Sequence, residues 1–241
     1  MKLNLVVATA ISSFFVSAGT GFGFSSQARA LTFSGISSGT WGEPTPRSTD
    51  TNPTYRGVGN NSFTWGKPPL SAGLPSKLTF DGSSFSADID SVFKIADLTY
   101  FNGTVLKGTS VGFVPLNINV SFSPTVGISQ FFDFKLGLIS TVNEVTPSEN
   151  NADFVFIDTN LSNRNFTFGG NKYTLELTGF DPDVRQLSIE ALEEATTTTA
   201  IYAKIKSIPE SAPVVGLSLL GIYLIYRKNF LRRANSKSLG N

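Results

Sequence analysis

Three groups of side chains have the type and spacing to do chemistry. Asp81, Asp88 and Asp90 fall close together in the chain, and carboxylate oxygens are the donors that calcium takes. Their spacing matches no EF-hand loop, so solvated turn carboxylates are the simpler reading. Glu190, Glu193 and Glu194 suggest the paired acids of a glycoside hydrolase, which stand about 5–5.5 or 6.5–9.5 Å apart across a cleft. A clustered surface charge explains them more simply. Trp41, Trp65 and Tyr100 have the flat rings that stack on the sugars of an extracellular polysaccharide. Trp65 sits where a strand would bury it, whereas Trp41 lies in a loop and is the better exposed candidate. Asp181-Pro182-Asp183 is an ordinary turn.

What the chain lacks narrows the chemistry further. It has no cysteine and no histidine. Disulfides, thiolate nucleophiles and thiolate metal sites are therefore excluded. So are Ser-His-Asp catalysis and histidine-held zinc. Paired carboxylates, Ser-Lys dyads and oxygen-ligand calcium sites survive. The expectation is a protein that is not an enzyme and carries no cofactor.

The elements that position these groups lie between two atypical ends. Met1-Lys2, an apolar run from Leu3 to Val16 and the small residues of Ala28-Arg29-Ala30 follow the layout of a secretory signal peptide. Cleavage is expected after Ala30, which makes residues 1–30 a signal for signal peptidase. Val16-Ser17-Ala18 is a competing site. At the other end Pro209-Glu210-Ser211 precedes an uncharged run to Tyr226, followed by Arg227, Lys228, Arg232 and Arg233. Residues 213–226 would make roughly 21 Å of helix, short of the roughly 30 Å hydrocarbon slab. Snorkelling basic side chains can cover part of the deficit. The basic cluster places the tail in the cytoplasm, contacting membrane lipid.

Between the ends, residues 31–206 are about one domain's worth of chain. Of the 19 basic residues seven lie in the two ends, which leaves 12 in 31–210 against all 18 acidic ones, a body of about −6. Such a body does not suit nucleic acid, whose phosphates need Lys and Arg. Of 21 phenylalanines, 16 fall in 31–206, and aromatic residues suit half-buried pleated surfaces.

Residues 37–60, rich in Ser, Thr, Pro, Gly and Asn, predict a long loop. Strands are expected at Phe63–Trp65, Leu78–Phe80 and Val92–Phe101, the last entering a hairpin at Asn102-Gly103 with Thr104-Val105-Leu106. The clearest alternation is Val114, Leu116, Ile118, Val120 and Phe122. Phe132–Leu138 and Phe154–Phe156 follow. Phe166–Phe168 and Tyr173–Leu177 face each other across a turn at 169–172. Residues 187–195 read as a strand or a short helix, and 196–205 as the last strand. The fold class expected is all-β, an antiparallel, jelly-roll-like β-sandwich, with apolar helices at both termini.

Two stretches carry resemblances. Arg56-Gly57-Val58-Gly59-Asn60-Asn61-Ser62-Phe63-Thr64-Trp65-Gly66, Leu98 to Thr104, Ala152 to Val155 and Tyr173 to Phe180 resemble the choice-of-anchor domain family lettered K, over about residues 37–206. That resemblance implies export and tethering, and brings no catalytic residues. The tail is similar to the PEP-CTERM sorting signal, with Ser211 where that family has a second proline. It implies processing of residues 207–241 by an exosortase-like membrane protease. Together these imply a non-catalytic bacterial surface or matrix protein of the cell envelope. A carbohydrate-binding module is the alternative, and a carboxylate-dependent glycoside hydrolase a third reading.

Overall fold

The computed structural model describes residues 31–69, 73–123, 129–141, 151–158 and 164–209. The signal segment, Glu210, Ser211, the apolar run 213–226 and the basic cluster at Arg227, Lys228, Arg232 and Arg233 lie outside the described residues. No helix among the described residues is long and apolar enough to cross a membrane.

The regular secondary structure of the described residues is nearly all strand. In chain order these are β1 (Thr32–Trp41), β2 (Tyr55–Arg56), β3 (Ser62–Trp65), β4 (Ser76–Gly82), β5 (Ser84–Asp88), β6 (Val92–Phe101) and β7 (Phe113–Ser123). Then follow β8 (Ser129–Ile139), β9 (Asp153–Asp158), β10 (Asn165–Phe168), β11 (Asn171–Gly179), β12 (Ser188–Ala191) and β13 (Thr196–Ser207). They form two antiparallel sheets. The six-stranded sheet runs β12-β9-β8-β7-β1-β5, and the seven-stranded sheet runs β10-β11-β13-β6-β4-β3-β2.

Alternation builds the core between them. On β7 every second residue from Val114 to Phe122 is buried, while Asn117 and Asn119 face outward. Phe132, Phe134, Leu136 and Leu138 of β8 do the same. Rings then cross from sheet to sheet: Phe33 of β1 meets Tyr173 of β11 at 5.0 Å and Phe166 of β10 at 6.0 Å. Phe85 of β5 stacks on Phe93 of β6 at 4.7 Å. The result is a sandwich-like all-β body with one apolar interior.

Two local expectations are corrected. The loop expected over 37–60 begins with β1, whose inward face reads Phe33-Gly35-Ser37-Gly39-Trp41. Its glycines are not turn residues. A Cβ on Gly39 would stand 2.5 Å from the Phe80 ring, and one on Gly35 would stand 3.0 Å from the Phe85 ring. Neighbouring phenylalanines fill the space that β1's own side chains leave.

The hairpin expected at Asn102-Gly103 does not form. β6 pairs with β4 and β13 instead, and neither residue has the positive φ that a two-residue hairpin turn needs. The turn joining β10 to β11 does have it, with φ 57° at Gly169 and 84° at Gly170. Of the two readings of residues 187–195 the strand is the one that forms, as β12, and a turn follows it.

The two ends of the sandwich differ in kind. At the lower end Ile89 N–H donates to Leu31 C=O, Asp90 N–H donates to Ile205 C=O and Ile208 N–H donates to Lys172 C=O. The chain therefore enters the body and leaves it at the same end. β13 runs its 12 residues down to this end from the upper one, roughly 36 Å at about 3.3 Å per residue.

Candidate functional site

At the upper end a cleft of about 490 Å³ opens between the loops that follow β1 and β6, the end of β8 and the β12–β13 turn. Backbone hydrogen bonds frame it. Asn52 N–H donates to Gly108 C=O at 2.8 Å, Thr54 N–H to Thr109 C=O at 3.0 Å and Gly112 N–H to Thr45 C=O at 3.0 Å. The Thr109 hydroxyl, buried, accepts from Lys67 N–H and donates to Leu106 C=O. Arg47 and Asp50 close a tight turn on each other's backbone. The Arg47 stem lies over Gly112, where a Cβ would come within 2.5 Å of Arg47 Cγ.

Two carboxyls meet in this cleft, Asp153 and Glu193. Asp153 opens β9 on its inward face and is buried. Its Oδ1 accepts from Thr141 N–H at 2.7 Å and from the Thr141 hydroxyl at 3.1 Å. Burial pushes its pKa above the usual aspartate value, and the charge of Glu193 pushes the same way, against the lowering effect of the Thr141 and Ser140 hydrogen bonds. Tyr100 lies beneath. Burial raises the pKa of its phenol, with the charges of Asp153 and then Glu193 adding to the effect. Asn102 fixes the turn that carries Glu193: its Nδ2 donates to Ala191 C=O at 3.0 Å, and its backbone bonds to Glu194 and Ala195.

The three glutamates singled out in the sequence therefore separate. Glu193 lines the cleft. Glu190 lies on the outer side of β12, opposite Phe154. Glu194 takes a left-handed backbone, φ 57°, and its Oε1 accepts from Thr104 N–H at 2.9 Å. That bond holds its pKa below the usual glutamate value. The acid that joins Glu193 is Asp153, which sequence reasoning missed. One signal for it exists: Asp153, Val155 and Ile157 alternate in phase, so an inward strand face placed on the aliphatic residues makes Asp153 an inward acid.

Trp41, Trp65 and Tyr100 do come together, but inside the body. With Phe63 they form a ladder of rings, Trp41–Phe63 at 6.2 Å, Phe63–Trp65 at 5.8 Å and Trp65–Tyr100 at 6.0 Å. Their exposures are 0%, 2% and 1%, so none offers a ring face to a sugar. Trp41, expected in an open loop, is the last residue of β1, and its Nε1 donates to Asn61 C=O at 2.8 Å. Among the described residues the exposed aromatic is Phe131, at 70%.

Asp81, Asp88 and Asp90 are not gathered. Asp81 pairs in register with Asp97, Asp88 accepts from the Thr32 hydroxyl, and Asp90 occupies a left-handed turn position. Among the described residues no group of three or more acids converges as a metal site. Asp181 is the turn residue expected, its Oδ1 accepting from the N–H groups of Asp183 and Val184 at 2.8 Å each. Of the sorting motif, Pro209 is described and exposed.

No protein-family model matches the chain, and no curated protein matches it.

Proposed function

We propose that this chain is an exported, non-catalytic surface or matrix protein, released from its signal by signal peptidase and sorted or held through its C-terminal tail. In this reading the body is a jelly-roll-like sandwich between two apolar helices. An exosortase-like membrane protease acts near Pro209, Glu210 and Ser211, or the helix and basic cluster retain the protein in the lipid. One observation carries the reading: residues 31 and 209 leave the body at the same end. A tether there leaves the far end, with its cleft, directed outward. Mass spectrometry of the protein recovered from cell envelope and medium tests it. The expected mature N-terminus is Leu31, and the expected C-terminus is either shortened near Ser211 or intact in the membrane fraction. An uncleaved chain in the cytoplasm ends the proposal.

A second reading, carbohydrate binding, is favoured by the outer face of the six-stranded sheet. Across β5, β1 and β7 that face is Ser, Thr and Asn, with Ile36, Pro115 and Phe113, and its one charge, Asp88, is at the lower edge. Ser38, Asn119 and Phe131 lie in one register row. An exposed ring beside amide and hydroxyl groups suits the C–H face and hydroxyls of a neutral sugar. Sedimentation with insoluble polysaccharide, comparing the wild type with Phe131→Ala, tests this. Equal retention of both proteins sinks the sheet-face reading.

A further inference from the structure

We infer that the upper cleft binds the terminal residue of a neutral saccharide, with Asp153 and Glu193 accepting from its hydroxyls, Arg47 and Lys107 donating to its oxygens, and Val105 and Leu106 meeting its C–H face. The inference deepens the proposed function and rests on the outward placement of this end.

The chemistry of the walls selects the ligand. The cleft's volume, about 490 Å³, lies within the range of small-molecule sites. Its cations are Arg47 and Lys107, set against the acids Asp50, Asp153 and Glu193. A phosphorylated or polyanionic ligand would have to desolvate two buried or half-buried carboxyls at the floor, a cost it could not recover there. A purely cationic ligand would meet Arg47 and Lys107. A ring bearing several hydroxyls satisfies both kinds of wall, because each hydroxyl donates once and accepts twice. The floor is also preorganised. One oxygen of Asp153 is held by Thr141, and Asn102 anchors the turn of Glu193. A single terminal residue fits better than an internal one, because the cleft sits at the end of the sandwich and not along a sheet face.

The test uses the full chain in a detergent without sugar groups. Neutral hexoses and short oligosaccharides of glucose, galactose and mannose are titrated by calorimetry and by saturation-transfer NMR. The wild type should bind at least one of them through its non-reducing end. Lys107→Ala, in an exposed loop, and Glu193→Gln should each weaken that binding about tenfold or more with unchanged circular dichroism. No binding by the wild type overturns the inference, as does binding of charged saccharides alone. Binding that survives both substitutions but is lost in Phe131→Ala moves the sugar to the sheet face and also overturns it. Export is read separately by fractionation, so a cytoplasmic protein would sink the proposed function without deciding the binding result.

Discussion

The lower and upper ends of this sandwich are built on opposite rules. The lower end is sealed by phenylalanine. Phe33, Phe122, Phe166, Phe168 and Tyr173 touch one another with ring centroids 5.0 to 6.0 Å apart. The strands there are joined by the short Gly169-Gly170 turn. At the upper end Ser76, Asn102, Thr109 and Asp153 are all buried, and Asn102 Oδ1 and Trp65 Nε1 are buried without a hydrogen-bond partner. Burying polar atoms costs free energy unless each is paired. A fold concentrates that cost where it does something other than hold itself together. The apolar end is the one the chain leaves by, and the polar end carries the cleft.

This contrast gives the largest expected effect. Phe33→Ala removes a fully buried ring from the contact between sheets and should lower stability by about 3–5 kcal/mol, measured by urea denaturation. Sugar binding at the upper end should be unchanged in whatever fraction stays folded. A loss under about 1 kcal/mol would mean that the lower end is not the stabilising one. Asn102→Ala removes the amide that ties β6 to Ala191 and should cost about 1–3 kcal/mol. Hydrogen exchange should localise the damage, with faster exchange at Glu194 and Ala195 and little change in β10 and β11. Equal acceleration at both ends would erase the distinction.

Much of the lower end and the centre was legible in the sequence. β7 alternates over its whole length, β8 from Phe132 to Leu136 and β13 from Ile201 to Ile205, and Gly169-Gly170 sits between two clear strands. The upper end was not legible, for reasons that can be named residue by residue. β1 reads as a loop because Gly35 and Gly39 hold the inward positions, and the rings that fill them belong to Phe80 and Phe85 of other strands. Asn102-Gly103 carries a local turn signal, but Asn102 is claimed by Ala191 and Ala195, some 90 residues on. Trp41 ends a strand that composition hides, so its burial is hidden too. Arg47 and Lys107 lie in loops, where no periodicity marks which side chains converge.

Two acids at the upper end should respond to pH with opposite signs, and they give the smaller effects. Asp153 has its pKa raised, chiefly by burial. Its contribution to stability is present in full below the ordinary aspartate value of about 3.9 and is lost as pH rises through the raised value. Asp153→Asn keeps an acceptor for Thr141 and removes the titration. The variant should lack this decline and at pH 7 should melt higher than the wild type, by on the order of 2 °C. A lower melting temperature at pH 7 would mean that the ionised carboxylate is stabilising and the burial argument is wrong.

Glu194 runs the other way. Its pKa is lowered by the Thr104 hydrogen bonds, so its contribution is present above the ordinary glutamate value of about 4.3 and is lost as pH falls through the lowered value. Glu194 is exposed, and solvent screening limits the effect to a few tenths of a kcal/mol. Glu194→Gln should therefore cost slightly at pH 7 and progressively less as pH falls below about 4.3. The two substitutions together separate burial from hydrogen bonding as causes at one end of the sandwich. If both variants shifted stability in the same direction at pH 7, the upper end would have one electrostatic character, and the distinction drawn between its floor and its rim would fail.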